Sequence, residues 1–201
     1  MKPLTSNDKQ FIKYVKETCK QEGIKVVLRN SKSVKVDTNV RVSGYFDSEH
    51  KELVVARKHK EFLALLVHEF GHVTQWQENT KLWKDADNSI PKTDAWLQGK
   101  EIYNIKHHLS VVRDLELDNE KRSVKLIKKF KLNIDVPDYI RKANCYIHLY
   151  NYLYHIRRWP TPKNSPYKEK ISSNMSSKFN MRYDVLPKKV YKLFEKERIG
   201  F

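Results

Sequence analysis

The chain is poor in cysteine and glycine and has no long apolar run. Two cysteines, Cys19 and Cys145, stand far apart in 201 residues. Two thiols make no disulfide framework, and neither belongs to a Cys-x-x-Cys pair, so a thiolate zinc knuckle is unsupported. No stretch reaches the ~18 apolar residues of a membrane span. The opening MKPLTSNDKQ lacks the apolar core of a secretory signal. The expected setting is therefore a reducing cytoplasm. A chain of this length is expected to bury a real core and to form one domain with an appendage.

What the chain has in excess is positive charge. Its formal net charge is +16. Residues 157–201 carry 12 Lys+Arg against 4 Asp+Glu, so half of the net charge falls in the last 45 residues. Such a segment fits an acidic partner, a nucleic acid or a virion protein, although basic faces are often simply solvated. Abundant Lys, Asn, Ile and Tyr with scarce Gly is also what an AT-rich coding sequence yields.

The pattern of elements predicts an α+β fold. Residues 6–22 read as a helix with Ser6 as N-cap and Gly23 as its stop. IKVVLR (24–29) reads as a strand, Val34 and Val36 alternate with lysines, and strands 40–47 and 52–57 flank SEHK as a hairpin. Helical periodicity covers 61–77, 101–130 and 138–158. Residues 79–100, polar with Trp83, Pro91 and Trp96, read as a long loop that walls a cleft or covers it. Residues 160–201 read as loop-like or disordered, ending in a short basic amphipathic helix, LPKKVYKLFEKERIGF. The expected organisation is a domain over 1–159 and a basic extension over 160–201.

The chemistry concentrates in one run, His68-Glu69-Phe70-Gly71-His72. It reads H-E-x-x-H inside a helix whose apolar positions are Phe62, Leu65, Leu66, Val73 and Trp76. His68 and His72, at i and i+4, leave the same face one turn apart, which suits two ligands of a tetrahedral Zn²⁺. Glu69 stands where it can act as general base on a metal-activated water. Gly71 is expected to let a strand or a substrate approach.

Three residues past His72 comes Gln75, and six past it Glu78, so the metzincin continuation with glycine and a third histidine is absent. A better third ligand lies in 101–130. One stripe there runs Ile102, Ile105, Leu109, Val112, Glu116, Glu120, Val124, Ile127. Two carboxylates occupy positions where apolar residues belong, and a buried carboxylate is costly unless it is paired or holds a metal. One of them is expected to ligate zinc, the other to orient a ligand imidazole.

HEFGH with a distant helical Glu and a second carboxylate four residues on resembles the gluzincin group of zinc metallopeptidases. The resemblance implies His68, His72 and Glu116 as ligands, Glu69 as the catalytic base and Glu120 as support for a ligand histidine. Many gluzincins have Asp at that last position, and Glu120 is longer. ELDNEKR and ANCYIHLYNYLY resemble small uncharacterised metallopeptidase-like proteins of tailed bacteriophages, which implies action in the host cytoplasm or a place in the virion. The order of elements resembles a minimal zincin, in which an edge strand binds the substrate backbone. Val42-Ser43-Gly44-Tyr45 is the expected strand, with Gly44 admitting the substrate. Helix 138–158 carries Tyr146, Tyr150 and Tyr154 on one face, an aromatic stripe of the kind that usually fills a core. Tyr150 or Tyr146 is the candidate donor to the oxyanion of peptide hydrolysis. His107 and His108 are the rival third ligands, as in DNA-associated zincins with three histidines, but their sequence context does not match that group. A zinc-bearing virion or structural protein without turnover and a DNA-associated factor are the alternative functions.

Overall fold

Helix α1 (Ser6–Gln21) starts where its backbone donors find a cap. Thr5 Oγ1 accepts from the Asp8 amide, and Asp8 Oδ2 accepts from the Thr5 amide. The cap is thus Thr5 rather than the expected Ser6, because the reciprocal bond needs the acid three residues on. The second oxygen of Asp8 accepts from the Asn133 amide at 3.0 Å, which ties the helix start to the loop after α4.

The computed structural model describes residues 3–36 and 41–200. After α1 come β1 (Lys25–Arg29), β2 (Val34–Lys35), β3 (Arg41–Val42), β4 (Gly44–Asp47) and β5 (Glu52–Ala56). Then follow the helices α2 (Phe62–Gln77), α3 (Lys81–Leu97), α4 (Ile105–Lys129), α5 (Val136–Ile156), α6 (Glu169–Ser172) and α7 (Lys188–Lys196), with a 3₁₀ turn at Pro162–Asn164. The fold is α+β. The chain divides into two compact units: one runs to Asn79 and takes up Asn119–Asp135, the other comprises Thr80–Asp118 and everything from Val136. The expected boundary at 159/160 is not one of these division points.

In the first unit a three-stranded sheet has the order β1-β5-β4, with β1 parallel and β4 antiparallel to the central β5. The expected hairpin around 48–51 is the β4–β5 connection. β5 is central because Leu53, Val54, Val55 and Ala56 form a continuous apolar run, buried on both faces. The expected strand over 40–47 breaks at Ser43: β3 pairs with β2, and β4 pairs with β5. Val40 lies outside the described residues. Phe11 and Tyr14 of α1 pack against Phe70 of α2 and against Phe130, just past α4, with ring centroids 4.9–6.1 Å apart. These edge-on and tilted aromatic contacts fix the α2 helix from the side away from its histidines.

In the second unit, residues 81–97 form a helix, not the expected loop. Its buried positions are Ala86, Ser89, Thr93 and Trp96, a helical stripe made largely of small and polar residues. That composition hid the period, and Pro91, tolerated inside the helix, reads locally as a breaker. α5 is buried nearly all round, from Ile140 to Leu153. The C-terminal segment supplies much of that cover. Ile171, Met175, Val190, Phe194 and Ile199 join Cys145, Leu149 and Leu153 in one core. Asn144 donates to the carbonyls of Ser176 and Lys178, Asn151 donates to that of Tyr183, and the Tyr183 hydroxyl donates to Asn144 at 2.6 Å. The described residues 160–200 are therefore a packed part of the unit, largely loop before the terminal helix, where the expectation was loop-like or disordered. The expected terminal helix is α7.

Candidate metal centre

Helix α2 presents His68 and His72 one turn apart, both half-buried, with ring centroids 4.9 Å apart. α4 presents Glu116 and Glu120, also one turn apart and both buried. Ligand atoms of His68, His72 and Glu116 all lie within 4.8 Å of one another. A tetrahedral zinc with bonds of about 2.1 Å needs donors about 3.4 Å apart, so modest side-chain rotation suffices to close the set. Two imidazoles and one carboxylate are also the donor chemistry of catalytic zinc, with one position left for water. The residues present fit the ion.

Each histidine has an acceptor for its outer nitrogen. Glu120 Oε1 lies 3.2 Å from His68 Nδ1. Gln75 Oε1 lies 2.9 Å from His72 Nδ1. Nδ1–H donated in both cases would put the lone pair on Nε2 for a metal; at His68 the Asn119 Nδ2 also lies 3.3 Å from Nδ1 and 3.4 Å from Nε2. The longer Glu120 reaches His68 without strain on this distance. Gln75 is fully buried and was missed as a functional residue from the sequence. A signal existed, since a polar side chain three residues after a ligand histidine shares its helix face.

Asn119 is a further partner that the sequence did not single out. It is wholly buried, and its Nδ2 donates to the His68 carbonyl at 3.1 Å. A Cβ on Gly71 would collide with Asn119 Oδ1 and lie 3.3 Å from Ser123 Oγ. Gly71 therefore admits a neighbouring helix, rather than the strand or substrate that was expected. Close packing at Gly71, Asn119 and Ser123 brings α2 against the part of α4 that belongs to the same unit and carries Glu120.

Glu69 is buried on the sheet side of α2. A Cβ on Gly44 would lie 3.2 Å from Glu69 Cγ, 3.3 Å from its Oε1 and 3.0 Å from the Val54 carbonyl. The space above Gly44 thus belongs to the Glu69 side chain, not to an incoming chain. The expected substrate strand, Val42–Tyr45, is split: Val42 pairs with Val34, the Ser43 carbonyl accepts from Ala56, and only Gly44–Asp47 borders the three-stranded sheet.

On α5, Tyr150 is 3% exposed and its hydroxyl lies 3.0 Å from that of Tyr146. Burial, reinforced by the Glu116 carboxylate, raises its pKa well above the usual phenol value. The hydroxyl stays protonated and can donate. Arg113 Nη1, donating to Asn151 Oδ1 at 3.0 Å, joins the α4 turn before Glu116 to the α5 turn that holds Tyr150. Tyr154 is exposed instead and stacks on Trp96.

His107 is exposed, and His108 is buried with its Nδ1 3.2 Å from Ser89 Oγ. Neither belongs to a metal-ligating group among the described residues. No helix is long and apolar enough to cross a membrane among the described residues. Comparison with known proteins finds no matching family model, no matching curated protein and no matching solved structure.

Proposed function

We propose that the protein is a zinc-dependent peptidase with a minimal zincin arrangement. The observation that carries this reading is the convergence of His68, His72 and Glu116 within 4.8 Å, with Glu120 against His68. A sheet whose β4 strand packs beside the H-E-x-x-H helix supports it. Zinc bound there supplies Lewis acidity, lowering the pKa of water towards neutrality and polarising the scissile carbonyl.

The chain's own residues do the rest. Glu69 takes a proton from the attacking water on its carboxylate and gives it to the leaving amine. Its position is fixed by burial against Gly44, which leaves the carboxylate few rotamers. Glu120 and Gln75 hold the two imidazoles in one tautomer and orientation. Tyr150, protonated throughout the working range, is the donor for the oxyanion. From the resemblance of ELDNEKR and ANCYIHLYNYLY to phage-encoded proteins, we further propose action in a host cytoplasm or a virion.

The test is hydrolysis of an unfolded protein by the zinc-loaded chain. Wild type cleaves and a chelator stops it. Glu69→Gln retains zinc and loses about 10²–10⁴-fold in rate. Retained hydrolysis in Glu69→Gln removes the catalytic assignment. A zinc-loaded wild type that cleaves nothing makes the ion structural.

A further inference from the structure

Helix α7, KKVYKLFEK over Lys188–Lys196, holds four lysines and one acid. On a helix that turns ~100° per residue, Lys188, Lys189, Lys192 and Lys196 fall within one sector about 100° wide. Val190 and Phe194 lie on the opposite side, buried in the core of the second unit. All four lysines are exposed, and none makes an ion pair among the described residues. Glu195, the acid of this helix, is hydrogen-bonded to Tyr191 instead.

This placement of charge works against the helix. Lys188, Lys192 and Lys196 follow one another at i, i+4 spacing, so each neighbouring pair repels. Lys188 and Lys189 stand in the first turn, where the positive end of the helix dipole favours acids. No acid is present in that turn and no side chain caps it. Fold stability gives no reason for these four positions, whereas an anionic partner would. The charge is also concentrated in this part of the chain, since residues 157–201 carry half of the net charge.

Burial of the apolar side selects the class of partner. A free basic amphipathic helix would lay its apolar face in a membrane surface or in a groove of another protein. In α7 that face is committed to the core, and charge alone is left to offer. The lysine sector holds no ring on which an unpaired base could stack. A fixed row of cations about 12 Å long is matched by a regular row of anions. We propose that α7 docks on the phosphate backbone of a nucleic-acid duplex through Lys188, Lys189, Lys192 and Lys196. Such contacts hold and orient a protein without reading sequence. They need no metal and are independent of the peptidase reading.

Fluorescence anisotropy of the full chain with a labelled duplex of about 20 base pairs, over about 50–200 mM salt, is the test. Wild type is expected to bind, with affinity falling steeply as salt rises. Lys188→Gln, Lys192→Gln and Lys196→Gln together should weaken binding about tenfold or more and reduce the slope of log affinity against log salt by about 2–3. The three side chains are exposed and mutually repelling, so this variant should keep the wild-type thermal transition. A control removes the same charge from α1 in the first unit, by Lys9→Gln, Lys16→Gln and Lys20→Gln, and should lose about threefold or less. A wild type that does not hold the duplex at low salt, or a control that loses as much as the α7 variant, overturns the proposal. Tighter binding of a single-stranded oligothymidine of the same length would mean that bases are held, which also overturns it. Capture by phosphatidylserine vesicles but not by the duplex would assign the lysines to a lipid surface instead.

Discussion

Gly71 stands where a side chain would strike Asn119 Oδ1. Gly71→Ala raises intrinsic helix propensity, so a propensity argument alone expects stabilisation. The structure expects the opposite, a loss of about 1–3 kcal/mol in urea unfolding, because Asn119 must move and its bond to the His68 carbonyl goes with it. His148 carries a second residue-scale prediction. It is fully buried, its ring nitrogens have no hydrogen-bond partner among the described residues, and it stacks on Tyr183. Burial, then the nearby Arg113, pushes its pKa down from 6.5 to about 4. The unfolded chain therefore binds a proton between pH 6.5 and 4 that the folded chain refuses. Stability is full above pH 6.5 and is lost as pH falls towards 4. From pH 7 to pH 5 wild type should lose about 2 kcal/mol more than His148→Leu in the same unfolding measurement. At this scale the sequence was legible for His68, Glu69 and His72, where spacing alone defines a shared face. It was illegible for Asn119 and Gln75, whose roles depend on which helix lies opposite.

At the scale of elements, long periodic segments were readable and short or polar ones were not. α2, α4 and α5 follow their apolar stripes to within a few residues, and Glu116 and Glu120 were legible because they interrupt one. α3 was hidden, since Ser89 and Thr93 occupy its buried face and Pro91 sits inside it. The strand over 40–47 looked continuous because alternation does not reveal a change of partner at Ser43. The C-terminal segment misled for a related reason. Its anchors, Ile171, Met175, Tyr183, Val190 and Phe194, are spaced irregularly among lysines and serines, so no period marks them. A chain cut before residue 160 would uncover Leu149, Leu153 and Cys145 and leave Asn144 and Asn151 without their carbonyl partners. Such a truncation should not give a folded second unit. Loss of the cooperative thermal transition is the expected result, and an unchanged transition would show the segment to be dispensable.

At the scale of the whole molecule, the division into units changes how the charge is read. The net +8 of residues 157–201 resides on a segment whose apolar side chains are buried in the second unit. Its lysines form the exposed side of a packed layer, not a free tail. Any partner that reads this charge meets a fixed surface, and removing the segment would confuse loss of charge with loss of fold. α4 is the element on which the functional account turns. It carries Glu116 and Glu120, it meets Gly71 through Asn119, and Arg113 links it to Asn151, the neighbour of Tyr150 on α5. The most direct test of the account is the zinc stoichiometry and affinity of purified wild type, Glu116→Ala and Glu69→Gln. One zinc in wild type, an unchanged affinity in Glu69→Gln and a loss of more than about a hundredfold in Glu116→Ala are predicted. A wild type that holds no zinc, or a Glu116→Ala variant that binds it as tightly, would contradict the ligand set and the peptidase reading built on it.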